Sequence, residues 1–285
     1  MGTIEARYDA NAARYRTWWE PVLARAGRDL LDSCRPESPG GSTTARILDV
    51  GTGTGLLALE AIRRWPTTTV VGLDGSSGML AIAAARAETE LRPGDRRRLE
   101  LVAGHAARLP FPDETFDLVV SSFVLQLVPV RKRALAEALR VLRPGGRIAF
   151  VTWLRADPDE RFAPDQAFEK ALDELDIDGE GEAEEARSGD YASARAAAAQ
   201  LRLAGFREVR ARATALVHRF DPATYLDFLA EYAEAEVFAD LDEPTRERLR
   251  ARTRARLDSL PAAAFTWRAP IVQAGGRRPL TGPSR

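Results

Sequence analysis

Residues 47–55 read Ile-Leu-Asp-Val-Gly-Thr-Gly-Thr-Gly, a short apolar strand that runs straight into three alternating glycines. Leu56, Leu57, Leu59 and Ile62 follow at helical spacing. Glycines so placed let the backbone turn tightly and come within contact distance of a ligand, because a Cβ there would block the approach. The helix behind them points its free N–H groups back at the same spot. This unit is a nucleotide cradle, and it commits the chain to a sheet with a strand, a tight loop and a helix meeting at one edge.

The neighbouring residues narrow the choice of nucleotide. Asp49 sits at the strand end, where its carboxylate would repel the phosphates of a dinucleotide or a triphosphate. S-adenosyl-L-methionine has no phosphate; its ammonium and sulfonium are both attracted by a carboxylate, directly or through water. Gly53-Thr54-Gly55-Leu56-Leu57-Ala58 also satisfies the G-x-G-x-x-A pattern of a dinucleotide site, so an NAD(P)-dependent oxidoreductase stays open at this point. A lysine after the last glycine would mark a phosphoryl-transfer loop, but Leu56 stands there.

A chain of 285 residues can bury one large core with room for a lid. Its 41 basic and 42 acidic residues nearly cancel, which argues against a dedicated nucleic-acid surface. Cys34 is the single cysteine, so no internal disulfide or Cys-rich metal site is expected. No apolar run is long enough to span a bilayer and no signal-peptide pattern occurs, so the expected location is cytoplasmic.

Strand and helix patterns alternate from Arg46: strands at 46–50, 69–74, 99–103, 116–121 and 147–153, with helices at 55–65, 77–90 and 131–142. That order predicts an α/β fold of Rossmann-like, doubly wound type, a mostly parallel seven-stranded sheet with helices on both faces. Residues 1–40 form an N-terminal helical cap ending in the breakers of 35–42. The core runs over 41–275 and includes an acidic segment at 155–190, whose run 173–185 is read as solvated or mobile, and a helical insertion at 221–260. A helix at 191–204 and a strand at 206–217 precede that insertion. The strand 265–273 is expected at the sheet edge, since Pro270 lacks the N–H an inner ladder needs. Residues 276–285 are expected to be a flexible tail.

Three further blocks lie downstream: Val70-Val71-Gly72-Leu73-Asp74-Gly75-Ser76-Ser77-Gly78-Met79-Leu80, Gly104-His105-Ala106-Ala107-Arg108-Leu109-Pro110 running to Asp117, and Val141-Leu142-Arg143-Pro144-Gly145-Gly146-Arg147. With the glycine loop, in this order and spacing, they resemble the class I S-adenosylmethionine-dependent methyltransferases. The closest likeness is to the small-molecule branch that includes quinone-biosynthesis methyltransferases. It holds motif by motif over 45–153 and more loosely over 8–30 and 191–275.

The resemblance implies a cofactor site built from Asp49 and the loop residues Gly51, Thr52, Gly53 and Gly55. Asp74 would accept hydrogen bonds from both ribose hydroxyls, while Ser76 caps the following helix. Gly75 leaves room for the adenine edge and Met79 offers a soft surface to its face. His105 stands where the family usually has Asp, and only its neutral imidazole could accept from the adenine amine. Ala106 could donate its backbone N–H to an adenine ring nitrogen. Ser121 and Ser122 fall beside the sulfonium, Gln126 falls where related enzymes often carry His, and Tyr15 would stand at the methionine end. No catalytic base can be named; His218 is more simply a structural histidine.

The implied function is methyl transfer to a small-molecule acceptor, with quinones, polyketides and other secondary metabolites as candidates. The Asn- or Asp-Pro-Pro-aromatic motif of nucleic-acid amino-methylating enzymes does not occur. The acceptor pocket is expected beneath the N-terminal helices and the insertion, where Tyr15, Trp18, Trp19, Tyr225, Phe228 and Tyr232 either line it or glue the helices down. With the acidic segment as hinge, this roof would open for substrate. A non-enzymatic adenosylmethionine-binding accessory protein is the alternative, motivated by His105 and the missing base. The sequence is silent on oligomeric state.

Overall fold

The computed structural model describes residues 4–36, 44–157, 161–178 and 189–280. Five parallel strands form its centre: β1 (Arg46–Val50), β2 (Thr69–Asp74), β3 (Leu99–Ala103), β4 (Phe116–Ser122) and β5 (Leu142–Trp153). Two further strands, β6 (Arg207–Arg219) and β7 (Thr266–Arg277), complete a seven-stranded sheet of order β3-β2-β1-β4-β5-β7-β6. The central strands read as unbroken apolar runs because both of their faces are covered. Ile47, Val70, Leu118 and Val120 pack into one core layer; Leu48, Val71 and Val119, one step out of phase, pack into the other. The expected doubly wound, mostly parallel sheet is present.

The first layer is covered by α2 (Glu20–Ser33), α3 (Leu56–Arg64) and α7 (Ala163–Glu174), and the second by α6 (Arg131–Val141) and α8 (Ala194–Leu203). The remaining major helices are α1 (Ile4–Arg14), joined to α2 by the π-helical turn Tyr15–Trp19, and α4 (Ser77–Glu90). Between β6 and β7 lies the expected helical insertion, with short helical segments over 225–240 and a longer helix, Glu243–Asp258.

Three expectations change. The last strand is not at the edge: β7 pairs antiparallel with both β5 and β6, and β6 takes the edge. Pro270 is tolerated because the β5 ladder ends at the Trp153–Ile271 rung. Just past that rung its carbonyl accepts from Leu154 N–H at 2.9 Å, so the missing donor costs a single reciprocal bond at the ladder's end. The tail begins later than residue 276. Arg278 exchanges backbone bonds with Gly145 and Gly146, and its guanidinium donates to the carbonyls of Leu139 and Arg140 at the end of α6. Residues 281–285 lie outside the described residues. The 155–190 segment is not a free hinge, for α7 falls inside it and buries Phe168, Ala171 and Leu172. Most of the acidic run itself (179–188) and most of the breaker linker (37–43) lie outside the described residues.

Two of the polar contacts that hold the cap lie beside the glycine loop. Asp9 of α1 accepts from Ser76 Oγ at 2.5 Å and Gly78 N–H at 2.7 Å. These bonds to the first turn of α4 hold its carboxyl below the usual range. Glu20, at the start of α2, accepts from Thr54 Oγ1 and from Arg86 Nη1 at 2.8 Å. Arg86 in turn reaches the Thr54 carbonyl at 3.0 Å and Glu90 at 2.7 Å.

Candidate cofactor and acceptor site

A cavity of about 300 Å³ opens at the carboxyl ends of the central strands, the place where open α/β sheets bind ligands. Its floor is the glycine loop. Gly51 and Thr52 donate their N–H groups to the Leu73 carbonyl at 2.7 and 2.9 Å, which draws the loop onto the end of β2. Gly51 has φ +72° and a Cβ there would stand 2.2 Å from Val124 Cγ2. Gly51→Ala should therefore destabilise the protein by roughly 2 kcal/mol, read from chemical denaturation, through strain and overpacking together.

Asp74 forms one wall. Its Oδ2 accepts from Gly53 N–H at 2.8 Å and its Oδ1 from Ser76 N–H at 2.9 Å. A carboxylate offers about four acceptor positions, so even with Gly75 N–H also turned towards it Asp74 keeps acceptor capacity for a ligand hydroxyl. Burial raises its pKa against these bonds. Gly75, Met79, His105 and Ala106 line the same cavity. Ser76 caps α4 as the sequence indicates, its Oγ accepting from Met79 N–H at 3.1 Å. The β3 loop is held by Gly104 N–H on the Asp74 carbonyl and by a bridge between His105 and Arg108.

Asp49 lies beneath the loop. It lines a separate pocket of about 40 Å³ together with Thr52, Glu20 and Tyr15. Its Oδ2 accepts from Thr52 Oγ1 at 2.8 Å, and its Oδ1 is buried with no hydrogen-bond partner. Burial, above all, pushes the carboxyl up to about 7. The folded pKa lies above the unfolded one, so stability falls as pH rises from about 4 to 7 and the full cost is present above 7. Asp49→Asn should thus stabilise the ligand-free protein at pH 8 by on the order of 2 kcal/mol in thermal unfolding, a gain that vanishes towards pH 4.

Tyr15 borders both cavities, as expected of a cap residue reaching the site. Gly55 lines neither; it supplies φ +86° at the start of α3, where a Cβ would press on Ala83 at 3.0 Å. Ser121 lines neither either. Its Oγ donates to the Val50 carbonyl at 2.9 Å, and alternation along β4 gives the cavity Ser122 instead. Gln126 is buried, its side-chain amide donating to the Phe123 carbonyl. His218 packs on Phe220 with ring centroids 4.6 Å apart, away from the cavity, and burial lowers its pKa.

The aromatic roof is also placed differently. Trp19 stacks against both Phe228 and Tyr232, at 6.2 and 6.0 Å, and Trp18 Nε1 donates to Glu231 at 3.1 Å. Tyr225 donates to Asp165 and packs against Phe220 and Phe265. These rings join the cap and α7 to the insertion, and of the six only Tyr15 lines the cavity. The aromatic and apolar wall is made instead by Tyr8, Phe123, Val124 and Leu127. Tyr8 was legible in principle, being seven residues before Tyr15 and so on the same helical face.

The site sits in a sheet whose order and nucleotide cradle define the class of nucleotide-binding α/β proteins with a reversed last strand. Residues 48–150 match the family described as "Methyltransferase domain". Over 138 residues the chain is 42% identical to ubiquinone/menaquinone biosynthesis C-methyltransferase UbiE of Methylobacterium nodulans, covering 47% of this chain and 52% of that protein. It is 38% identical over 179 residues to phosphatidylethanolamine N-methyltransferase of Cereibacter sphaeroides, covering 58% of this chain and 76% of that protein. The chain belongs to the class I S-adenosylmethionine-dependent methyltransferases. It spans about half the length of the UbiE relative it matches. The crystal structure of the [4+2]-cyclase SpnF shares the fold with a TM-score of 0.57 at 22% identity, over 93% of this chain and 83% of that one. Among the described residues, no helix is long and apolar enough to cross a membrane and no cluster of potential metal ligands occurs.

Proposed function

We propose that this chain transfers the methyl group of S-adenosylmethionine to a small-molecule acceptor. The observation that carries it is the pairing of Asp74 in the main cavity with the orphaned Asp49 Oδ1 below the loop. One carboxylate suits a ribose diol and the other an ammonium, and both repel phosphate. The free acceptor positions of Asp74 would hold the two ribose hydroxyls. Ala106 N–H and a neutral His105 nitrogen would read the adenine edge, with Met79 against its face. Asp49 and Thr52 would draw the methionine end towards the smaller pocket beside Tyr15.

When bound, the cofactor supplies a methyl carbon made electrophilic by its sulfonium. The chain's own work is alignment, which can lower a barrier by about 7–11 kcal/mol. Burial raises the phenols of Tyr8 and Tyr15 further above neutrality, so neither is a ready base for the acceptor. The acceptor's proton would then leave to water.

The relatives named for quinone, malonyl-[acyl-carrier protein] and phosphatidylethanolamine methylation support an acceptor other than nucleic acid. A second reading, an adenosylmethionine-binding protein that does not methylate, is favoured by the absent base and by a cyclase on the same fold. Label transfer from methyl-tritiated S-adenosylmethionine across an acceptor panel separates the two. Transfer to one acceptor establishes the enzyme; tight cofactor binding with no transfer to any supports the second reading.

A further inference from the structure

The small pocket beneath the glycine loop holds a charge that its surroundings do not balance. Asp49 is 1% exposed; Thr52 Oγ1 donates to its Oδ2, and its Oδ1 is buried with no hydrogen-bond partner. Burial acts most strongly against its charged form, and repulsion from Asp74 adds to that. The groups that oppose them, the Thr52 hydroxyl and the Ala58 backbone, are both uncharged. A carboxylate so placed is normally paired with a cation or made neutral by a proton. Glu20 lines the same pocket, but its charge is already met by Arg86 at 2.8 Å. Among the described residues that line the pocket, one negative charge therefore stands without a counter-charge.

The size and the donor set of the pocket suit a small cation. About 40 Å³ admits a bare ion together with about one water. Tyr15, Thr52 and Ser122 bring hydroxyl oxygens to the wall beside the two carboxylates, and oxygen donors are what hard cations take. A divalent ion calls for more negative charge than the one unmatched carboxylate supplies. No cluster of three potential metal ligands occurs among the described residues either. Tyr15, Gly51, Gly53 and Ser122 line this pocket and the main cavity alike. A ligand lying in the larger space can thus extend an ammonium into the smaller one, where it would contend with any other cation for Asp49.

We infer that this pocket binds a compact monovalent cation, potassium or ammonium, on Asp49, and that the ammonium at the cofactor's methionine end competes with it. The competition rests on the methyltransferase reading; the cation site does not, so the two fail separately. Thermal unfolding of the ligand-free protein at pH 8 compares potassium chloride with tetramethylammonium chloride, each at about 200 mM. The methyl groups of tetramethylammonium keep its charge away from a carboxylate in so small a space. Potassium should raise the midpoint by about 2 °C or more. Asp49→Asn, which keeps the shape without the charge, should respond to the two salts alike. The stabilisation expected of that variant at pH 8 is then larger in tetramethylammonium than in potassium.

Calorimetric titration in the same two salts reads the competition. The Kd of S-adenosylhomocysteine should be about threefold or more higher in potassium. That of 5′-methylthioadenosine, which carries the nucleoside and sulfur without the amino acid, should be the same in both. Equal midpoints for the wild type, or an undiminished potassium effect in Asp49→Asn, would overturn the cation site and leave water as the partner of Asp49 Oδ1. An unchanged S-adenosylhomocysteine affinity, or a methylthioadenosine affinity that falls in step with it, would overturn the competition. Failure of S-adenosylhomocysteine to bind in either salt, with the midpoint shift intact, would instead overturn the methyltransferase reading.

Discussion

Asp74→Ala is expected to weaken S-adenosylhomocysteine binding by roughly 100- to 10,000-fold, the loss of two charge-assisted hydrogen bonds at about 1.5–3 kcal/mol each. Its oxygens also organise the site before any ligand arrives, since Gly53 N–H and Ser76 N–H both donate to them. Alanine therefore removes the ribose contacts and loosens the loop at once. Asp74→Asn separates these effects, because it keeps one acceptor oxygen and nearly the same shape but no charge. It should bind more tightly than the alanine variant and still at least tenfold more weakly than wild type. Calorimetric titration measures both. Wild-type affinity in the alanine variant would remove Asp74 from the cofactor site.

The second large effect lies behind the loop. Arg86 and Glu20 form an ion pair at 2.8 Å with side-chain exposures of only 10% and 12%. Deleting one member of such a pair strands the other charge in a poorly solvated place, which costs about 3–5 kcal/mol. Arg86→Ala should lose that much stability in urea unfolding. It should lose cofactor affinity too, because Arg86 also holds the Thr54 carbonyl of the loop. Adding Glu20→Gln to the variant removes the stranded charge and should recover more than half of the loss. A single variant within 1 kcal/mol of wild type would show that water reaches Glu20 freely.

The parallel part of the sheet was legible because β1, β2 and β4 are each followed by a turn and a helix with a different hydrophobic period. Strands buried on both faces also stand out as unbroken apolar runs. The antiparallel end was not legible. Pro270 signals an edge when only its missing N–H is considered, yet the missing donor lies just past the last rung with β5. Such an offset depends on where a neighbouring strand stops, which no local pattern encodes.

The site divides in the same way. Gly51, Gly53, Asp74 and Gly75 were readable because backbone geometry and ligand chemistry restrict those positions to few residue types. Ser121 and Ser122 are chemically equivalent, and only the strand's alternation, phased by the true bounds of β4, tells which one faces the cavity. Trp18, Trp19 and Phe228 carry the same composition signal whether they line a pocket or join two helices. Phe123 gave no signal at all, since its backbone, at φ +55°, is set by Val151, Gln126 and Thr152 acting from elsewhere in the chain.

The central claim is that the cavity at the carboxyl ends of β1, β2 and β4 holds S-adenosylmethionine. Calorimetric titration of the wild-type protein with S-adenosylhomocysteine, beside a parallel titration with NAD, tests it most directly. One-site binding of S-adenosylhomocysteine with no measurable heat from NAD is the predicted result. Binding of NAD in preference, or of neither ligand, would contradict it and return the glycine loop to the dinucleotide reading.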